Sequence, residues 1–467
     1  MTTKNDTDTI ITNSDKATAS SHTVTIDAGN DKVEVTLKDV NIDTSSRNKA
    51  AVSVTGSGNT TIKLDGDNAL KSDTSRSGIY GSGSLTISGG ENDSLTAQGG
   101  SGANGISSSG SLTISGGTVT ANGDDGGRGI SSSGRVTISG GSTVTAKGGS
   151  GTISGGDGIC SSGGVTISGG STVTANGGNG GRLVGGDGIR SSGGVTISGG
   201  STVTANGGNG GSIGGGSGIY SNGSLTISGG TVNANGGSGK NGNGGNGIIG
   251  SGRVAISGGT VNAAGGDGTN SNGGEGIYGR KGIDLSGSLE LTAKAGSPNG
   301  KALSQDGKEL DLDTINKDKL DPGAKVTTTD ADGKVIKQVS IPRPVEPEKP
   351  VIPEESSSSS DGGSSAPSAS VSSLPGLTVT DKSGAVISYT STQSGNTLTV
   401  CVGRLTASLH VSLAALRQLR AEGIETITFQ TILCSTTLSV DELLAMGGED
   451  AEAVLTHRLT DSSLTVG

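Results

Sequence analysis

The sequence predicts an all-β protein based on a parallel β-helix, or β-solenoid, whose Gly/Ser/Thr-rich coils are about 24–30 residues long. A linker and a small α+β domain follow it. Two observations predict the β-helix. Apolar residues recur at constant intervals, and the 21-residue segment SSGGVTISGGSTVTANGGNGG occurs identically at 161–181 and 191–211. The 90 Gly residues in a chain of 467 first suggest a disordered Gly/Ser tract. Such a tract has no reason to keep these intervals constant.

The intervals between apolar residues define one coil. In and just before the duplicated segment they are 6, 2, 6 and 2 residues, and the first two intervals recur in six looser copies. An interval of 2 puts both side chains on one face of a strand, with Thr on the other face. Because one such unit cannot bury its few aliphatic side chains, we expect the coils to stack. The predicted core positions are Ile159, Val165, Ile167, Val173, Ala175, Ile189, Val195, Ile197, Val203 and Ala205.

Gly and Asn have separate expected roles within a coil. The Ser-Gly-Gly segments between strands are predicted turns, because Gly adopts positive φ without steric cost. Asn122, Asn176, Asn206 and Asn235 each follow an inward-facing Ala. These residues are either rungs of a side-chain ladder along the stack or turn residues in the left-handed conformation, and the sequence leaves both interpretations open.

Changes in composition predict the domain organisation. We expect a disordered N-terminus at 1–22, N-terminal capping coils at 23–77, the repeat β-helix at 78–300, closing coils and a hairpin at 301–341, a Pro/Ser-rich linker at 342–376 and a small α+β domain at 377–467.

The last region has alternating and amphipathic patterns of its own. Strands are predicted at 377–381, 385–391, 397–403 and 425–433. A helix should run from Ser412 as N-cap to Gly423 as C-cap. A second helix should begin at a capping box formed by Ser439 and Glu442.

Charge and cysteine content exclude several classes of function. The net charge is −10, but residues 78–300 hold ten acidic and ten basic residues and no basic stripe with interleaved aromatics, so we expect no nucleic-acid partner. The sequence contains no run of 18 apolar residues, so it predicts no transmembrane segment. Cys160, Cys401 and Cys434 lack Cys-x-x-Cys spacing, which argues against a zinc site or a disulfide framework. A Cys401–Cys434 disulfide and buried free thiols both remain open.

The sequence predicts no catalytic residue and no cofactor. Zinc-protease and P-loop motifs are missing, and outward strand positions carry Thr where a polysaccharide lyase or hydrolase needs clustered carboxylates. Asp157 and Asp187 occupy the same position in successive coils, just before a Gly-Ile pair. Turn formation is the simpler role for such a pair, and a shared Ca²⁺ ion is the alternative.

Three tyrosines are the candidate ligand-binding residues. Tyr80, Tyr220 and Tyr278 each follow the first Ile of a coil, so we expect them on one edge, as a sparse strip on which sugars could stack. The long Gly/Asn/Ser loops crowd one edge of the solenoid, which is where solenoids commonly bind their partners.

The iterated pattern GI-x-SSG-x-[VL]TISGG-[S]-TVTANGG, over about residues 23–310, resembles the parallel β-helix repeats of large bacterial cell-surface proteins. Many of these are labelled carbohydrate-binding domain proteins. The resemblance implies an extracellular or cell-surface location and glycans or other surface proteins as partners, although neither a signal peptide nor an anchor is visible in the sequence. It leaves the oligomeric state open.

Three functions follow, in order of preference. The first is a non-enzymatic, adhesin-like structural protein with a rigid β-helical rod and a C-terminal module. The second is a carbohydrate-binding module that uses the loop edge or the Tyr strip. The third is a polysaccharide lyase or hydrolase.

Overall fold

The computed structural model describes residues 9–342 except 16, and residues 376–466 except 382–384, 388, 395, 403, 405, 432–434, 447–450 and 458–461. Two compact units divide the chain, Met1–Glu348 and Lys349–Gly467. Almost all of the predicted linker (342–376) lies outside the described residues, and so does Cys434.

The first unit is a parallel β-helix, which confirms the predicted fold class. Its strands, in chain order, are β1 (Thr9–Thr12), β2 (Val24–Asp27), β3 (Lys32–Lys38), β4 (Asn41–Asp43), β5 (Val52–Thr55), β6 (Asn59–Asp65), β7 (Asp67–Lys71), β8 (Ile79–Gly81), β9 (Leu85–Ser88), β10 (Ser94–Ser101), β11 (Ile106–Ser108), β12 (Leu112–Ser115), β13 (Thr118–Asp124), β14 (Ile130–Ser132), β15 (Arg135–Ser139), β16 (Thr143–Lys147), β17 (Ile159–Ser161), β18 (Gly164–Ile167), β19 (Thr172–Asn176), β20 (Ile189–Ser191), β21 (Gly194–Ile197), β22 (Thr202–Asn206), β23 (Ile219–Ser221), β24 (Leu225–Asn235), β25 (Ile248–Gly250), β26 (Val254–Ala264), β27 (Ile277–Gly279), β28 (Ile283–Lys294), β29 (Leu303–Gln305), β30 (Lys308–Glu309), β31 (Lys325–Thr329) and β32 (Val335–Ser340). A 3₁₀ helix covers Lys317–Lys319.

Two sheets run along the stack. The narrow sheet has 12 strands, namely β2, β5, β8, β11, β14, β17, β20, β23, β25, β27, β29 and β30, and the other strands form the 20-stranded wide sheet. Each repeat coil contributes one short strand to the narrow sheet and two strands, or one long strand, to the wide sheet.

The core consists of columns of like residues in register. Ile159 pairs with Ile189, and Val165 with Val195. All ten predicted core positions are at most 1% exposed. The constant intervals therefore correspond to side chains that pack on their equivalents in the next coil, at the spacing of neighbouring strands of about 4.8 Å.

Glycines with positive φ form the corner between the two wide-sheet strands of a coil. Gly169 has a φ of 65° and Gly170 a φ of 70°, and Gly199 and Gly200 repeat these values closely at 63° and 70°. Residues with a Cβ rarely adopt this conformation, so the Ser-Gly-Gly segments form the turns that the sequence predicts.

Glycines also hold the long loops together, through a chain of backbone hydrogen bonds. Within one coil the N–H of Gly186 donates to Gly178 O at 2.9 Å, and the N–H of Gly208 in the next coil donates to Gly186 O at 2.8 Å. This alternation continues along the stack as the glycine seam, which comprises Gly127, Gly149, Gly156, Gly178, Gly186, Gly208, Gly216, Gly237, Gly245, Gly266, Gly274, Gly296 and Gly300.

Close approach of backbones, and not positive φ, requires glycine in the seam. A Cβ on Gly178 would lie 2.1 Å from Gly149 O, and a Cβ on Gly208 would lie 2.0 Å from Gly178 O. Neither Gly178 nor Gly208 has a positive φ. The loops are therefore ordered extensions of the solenoid, with their backbone groups paired between coils.

The asparagine column forms a side-chain ladder in part of the stack. Asn206 Nδ2 donates to Asn176 Oδ1 at 2.8 Å, and Asn235 Nδ2 donates to Asn206 Oδ1 at 2.8 Å. Asn122 pairs instead with Lys147 across β13 and β16. The ladder interpretation therefore holds for the three residues that are stacked without interruption.

Both ends of the solenoid differ from the repeat coils. The N-terminus predicted to be disordered contains strand β1, which lies parallel to β3 with Thr9 paired to Val35. Thr9 is 5% exposed, so this short strand extends the wide sheet by one row. At the other end, β31 and β32 pair antiparallel as a hairpin.

The second unit combines two four-stranded sheets with two helices. Its elements are β33 (Leu377–Thr380), β34 (Thr390–Ser394), β35 (Thr397–Cys401), β36 (Ala407–Ser412), α1 (Leu413–Ala421), β37 (Thr426–Gln430), β38 (Ser435–Ser439), α2 (Val440–Met446), β39 (Glu452–His457) and β40 (Ser462–Val466). One sheet has the order β33-β36-β39-β40 and the other β34-β35-β37-β38.

Several details of this unit differ from the sequence-based expectations. Ser412 caps α1 by accepting the N–H of Ala415 at 3.2 Å, but the C-cap is Glu422, and Gly423 follows it with a φ of 89°. The Ser439 hydroxyl accepts the N–H of Glu442 at 3.4 Å. The predicted strand at 385–391 begins later, as β34, and strands β36, β38, β39 and β40 were not predicted.

Candidate functional site

The three candidate tyrosines lie in one outward-facing column of the narrow sheet. Tyr80 pairs with Ser107, Tyr220 with Arg190, and Tyr278 with Ile249. Tyr220 and Tyr278 are two coils apart, with Ile249 between them. Ser107, Ser131, Cys160 and Arg190 separate Tyr80 from Tyr220 in the column. The structure therefore gives each tyrosine its own surroundings.

Tyr80 lies in a cleft of about 660 Å³, which we call the Tyr80 cleft. The floor is the start of the outward column, and the walls are the turns that lead into β5 and β8. Tyr80 is 42% exposed. The lining residues are Thr23, Thr25, Asn48, Lys49, Ala50, Ser53, Ser75, Arg76, Ser77, Tyr80 and Ser107.

Two buried hydroxyls close the walls of this cleft in the same way. Thr44 Oγ1 donates to Lys49 O at 2.8 Å, and Ser72 Oγ donates to Ser77 O at 2.8 Å. Thr44 is 0% exposed and Ser72 is 2% exposed. Each turn is thus fastened to the core next to the residues that it presents to the cleft.

Tyr220 is already covered on one side by a cation. The guanidinium carbon of Arg190 lies 4.8 Å from the centroid of the Tyr220 ring, within cation–π range. Arg190 Nη1 also donates to Asp187 Oδ2 at 2.9 Å. A sugar stacking on this face of Tyr220 would have to displace the guanidinium.

The carboxylates of Asp157 and Asp187 link successive coils. Asp157 Oδ1 accepts the N–H of Asp187 at 2.9 Å, and Asp187 Oδ1 accepts the N–H of Ser217 at 2.6 Å. The second oxygen of Asp157 accepts from Arg128 Nε at 3.1 Å, as that of Asp187 does from Arg190. Both carboxylates therefore have a backbone donor and a cationic donor.

Asparagine fills the same position in other coils and forms the same contact. Asn104 Oδ1 accepts the N–H of Arg128 at 2.8 Å, and Asn246 Oδ1 accepts the N–H of Glu275 at 2.8 Å. The column thus joins coils through a side-chain oxygen, whether that oxygen is charged or neutral.

Burial changes the acid–base properties of this cluster. Burial, and secondly the charge of Asp157, raises the pKa of Asp187 to about 6. The same two causes, in the same order, raise the pKa of the Cys160 thiol to about 11. In the part of the chain that the structure describes, no group of three His, Cys, Asp or Glu side chains could hold a metal ion. A Ca²⁺ ion shared by Asp157 and Asp187 stays a prediction.

The loop edge carries a groove and an exposed aliphatic row. The groove, of about 530 Å³, has the stacked residues Asn179 and Asn209 in its lining. Beside it, three aliphatic residues stack in successive coils, namely Ile153, Leu183 and Ile213. Leu183 N donates to Ile153 O at 2.8 Å, and Ile213 N donates to Leu183 O at 3.0 Å. They are 56%, 37% and 60% exposed.

A second cavity, absent from the sequence-based expectations, lies against the wide sheet in the N-terminal coils. Its volume is about 630 Å³. Its charged lining residues come from sequence-distant turns and strands, so no local motif could predict it. They are Asp43, Lys71, Asp73 and Asp124.

Two of these carboxylates are occupied with local hydrogen bonds. Asp43 Oδ1 accepts the N–H of Ser45 at 2.9 Å, and hydrogen bonding from Ser45 holds the pKa of Asp43 below its usual value. Asp73 accepts the backbone N–H groups of Thr74, at 2.7 Å, and of Asn48, and these bonds lower the pKa of Asp73. A general acid needs the opposite shift.

With this geometry established, comparison with known proteins identifies the repeat. A family model described as a beta helix repeat matches residues 112–134 and 225–248. The first unit is a parallel β-helix repeat structure. No curated protein and no solved structure matches the chain. Because parallel β-helices occur in enzymes and in proteins without catalytic activity, the function has to be argued from the sites.

No helix among the described residues is long and apolar enough to cross a membrane. In the second unit, Cys401 Sγ lies 3.5 Å from Gln430 Oε1, and the proposed partner Cys434 is outside the described residues. His457 is 0% exposed and packs against Phe429, with ring centroids 4.7 Å apart.

Proposed function

We propose that the protein is a non-enzymatic, extracellular structural protein of the adhesin-like type, in which the β-helix serves as a rigid rod. The observation that carries the proposal is the continuous pairing of the coils. The strands of successive coils pair in register, their loops are joined by the glycine seam, and Asn176, Asn206 and Asn235 add a side-chain ladder. Such pairing suits a protein that must keep its length under load.

The second cavity, which lies against the wide sheet and is lined by Asp43 and Asp73, supports the non-enzymatic part of the proposal. Asp43 and Asp73 are bound to local donors, and their lowered pKa values suit hydrogen-bond acceptors better than proton donors.

Two measurements test this function. Antibodies against the repeat coils, used in immuno-electron microscopy of the source cells, should label the cell surface, and labelling confined to the cytoplasm would contradict the proposal. Incubation of the full chain with a panel of polysaccharides should release no reducing ends. Release that disappears in Asp73→Asn would make the protein an enzyme.

A second candidate function, carbohydrate binding, is favoured by the Tyr80 cleft. An exposed aromatic ring beside hydroxyl, amide and cationic groups is the combination that a sugar-binding site requires, since the ring packs against C–H groups while the polar groups bind hydroxyls.

A glycan array probed with the full chain tests this candidate. Saturable binding should be lost in Tyr80→Ala and retained in the matched control Tyr220→Ala, whose ring is covered by Arg190. Binding to no glycan on the array would leave the structural function alone.

A further inference from the structure

The charged side chains that line the Tyr80 cleft are all basic, in contrast to the negative net charge of the chain. They are Lys49 and Arg76. The chain as a whole has a net charge of −10. The cleft therefore offers positive charge on a protein that is negative overall.

Neither of these two cations forms an ion pair with a carboxylate among the described residues, in contrast to two lysines of the N-terminal coils. Lys38 pairs with Asp65 at 2.8 Å and Lys71 with Asp43 at 3.1 Å. The Arg76 side chain instead donates through Nε to Asn48 Oδ1, a neutral acceptor, at 3.4 Å. Such a guanidinium keeps most of its donors available.

Asp73, the carboxylate nearest in sequence to Arg76, is hydrogen-bonded mainly to backbone donors, and the charge of Arg76 is the smallest of the causes that lower its pKa. Its Oδ1 accepts from Thr74 N at 2.7 Å, and its Oδ2 accepts from Asn48 N. Asp73 lines the other cavity, on the wide-sheet side. The turn thus presents its carboxylate to one cavity and its guanidinium-bearing residue to the other.

We propose that the Tyr80 cleft selects acidic saccharides, in which a carboxylate on the sugar binds Arg76 and Lys49 while the pyranose ring packs on Tyr80. This inference rests on the proposed carbohydrate-binding function and adds the class of ligand. A guanidinium binds a carboxylate through two parallel hydrogen bonds, which orients the sugar, and an ammonium group adds charge without fixing direction.

The test compares acidic probes with neutral probes of the same skeleton. Binding of the full chain is measured by calorimetry with tetragalacturonate and its methyl ester, and with sialyllactose and lactose. At least one acid should bind about tenfold more tightly than its neutral counterpart, the expected effect of one charge-assisted contact, and added salt should weaken only the acid.

Variants separate charge recognition from sugar recognition. Arg76→Gln and Lys49→Gln should each reduce the preference for the acid over its neutral counterpart, and Tyr80→Ala should abolish binding of both. The exposed Lys308→Gln, at the opposite end of the stack, serves as the control. Circular dichroism melting of every variant checks that the fold is intact.

Each result decides between the two levels of the proposal. Equal affinity for acid and neutral probes overturns the selection of acidic saccharides and leaves carbohydrate binding in place. Preference for an acid that survives in Arg76→Gln and Lys49→Gln also overturns it. Failure of all four probes overturns the inference, and failure of the whole glycan array overturns the carbohydrate-binding function as well.

Discussion

Asp187 Oδ1 accepts the backbone N–H of Ser217 at 2.6 Å, so one buried carboxylate joins two coils of the solenoid. The residue is 7% exposed, and its environment keeps the carboxyl group protonated to a higher pH than usual. The contact itself needs only an oxygen atom, as Asn104 and Asn246 demonstrate in the same column.

The first prediction concerns Asp187→Asn and pH. The pKa of Asp187 rises from 3.8 to about 6 on folding, so the folded protein binds this proton more tightly than the unfolded chain. The stability that this group contributes is therefore present below about pH 4 and lost as the pH rises through 6. In the unmodified chain this group lowers the free energy of unfolding by up to about 3 kcal/mol between these pH values, and Asp187→Asn should remove that decrease.

Urea unfolding at pH 4 and pH 7, followed by circular dichroism, measures this difference. The exposed Asp31→Asn is the matched control and should behave like the unmodified chain. The same pH dependence in Asp187→Asn and in the unmodified chain would contradict the prediction.

The second prediction separates the two roles of glycine. Gly208→Ala puts a Cβ 2.0 Å from Gly178 O and forces two backbones apart, whereas Gly200→Ala meets nothing within 4 Å and strains only its own φ of 70°. We expect a loss of about 1–2 kcal/mol for Gly200→Ala and more than that for Gly208→Ala. Thermal unfolding of the two variants gives the order, and the reverse order would refute the role of the seam.

The third prediction concerns the asparagine ladder. Asn206→Ala removes two amide–amide hydrogen bonds and Asn235→Ala removes one, at about 0.5–1.5 kcal/mol for each bond. Asn122→Ala, next to Lys147 in the register, is the control and should have the smallest effect. The urea midpoint should therefore decrease most in Asn206→Ala, less in Asn235→Ala and least in Asn122→Ala. Equal losses would mean that the amides act independently of one another.

The fourth prediction concerns the reactivity of Cys160. Burial and the charge of Asp157 raise the pKa of this thiol to about 11, against 9.0 for an unperturbed thiol. Iodoacetamide reacts with the thiolate, so at pH 8 alkylation should be roughly a hundredfold slower than in the denatured chain. Peptide mass spectrometry measures the rate, and Asp157→Asn should accelerate it. Equal rates in folded and denatured protein would disprove the shift.

Much of the solenoid could be predicted because buried positions restrict the sequence most. Ile159 and Ile189, and the Val and Ala residues that follow them, keep their intervals since each must enter the same column. Corner glycines such as Gly169 were predictable for a similar reason, since positive φ restricts the choice of residue. The glycine seam was not foreseen, because glycine required for close approach has the same appearance in a sequence as glycine in a flexible loop. The recurrence of paired glycines at fixed positions in successive loops, such as 177–178 and 207–208, was the available signal.

The candidate site was predictable only in part. Tyr80 stands out because aromatic residues are rare in this chain, but Lys49 and Arg76 reach its cleft from two turns that share no motif. In the second unit, strand β36 was not predicted, although its residues alternate between buried and partly exposed positions. Short alternating runs of this kind become strands through pairing with distant segments, here β33 and β39, which local patterns do not reveal.

Ile159 and Ile189 are 30 residues apart, and the strands of their two coils pair in register throughout. One coil can therefore take the place of the other in the stack. Excising residues 159–188 in frame would place Ile189 above Ile130 and let equivalent strands and glycines meet as they did before the excision. The solenoid would shorten by about 4.8 Å, and its two differently built ends would remain intact. Gain or loss of whole coils would thus lengthen or shorten the solenoid in uniform increments and require no new packing of side chains.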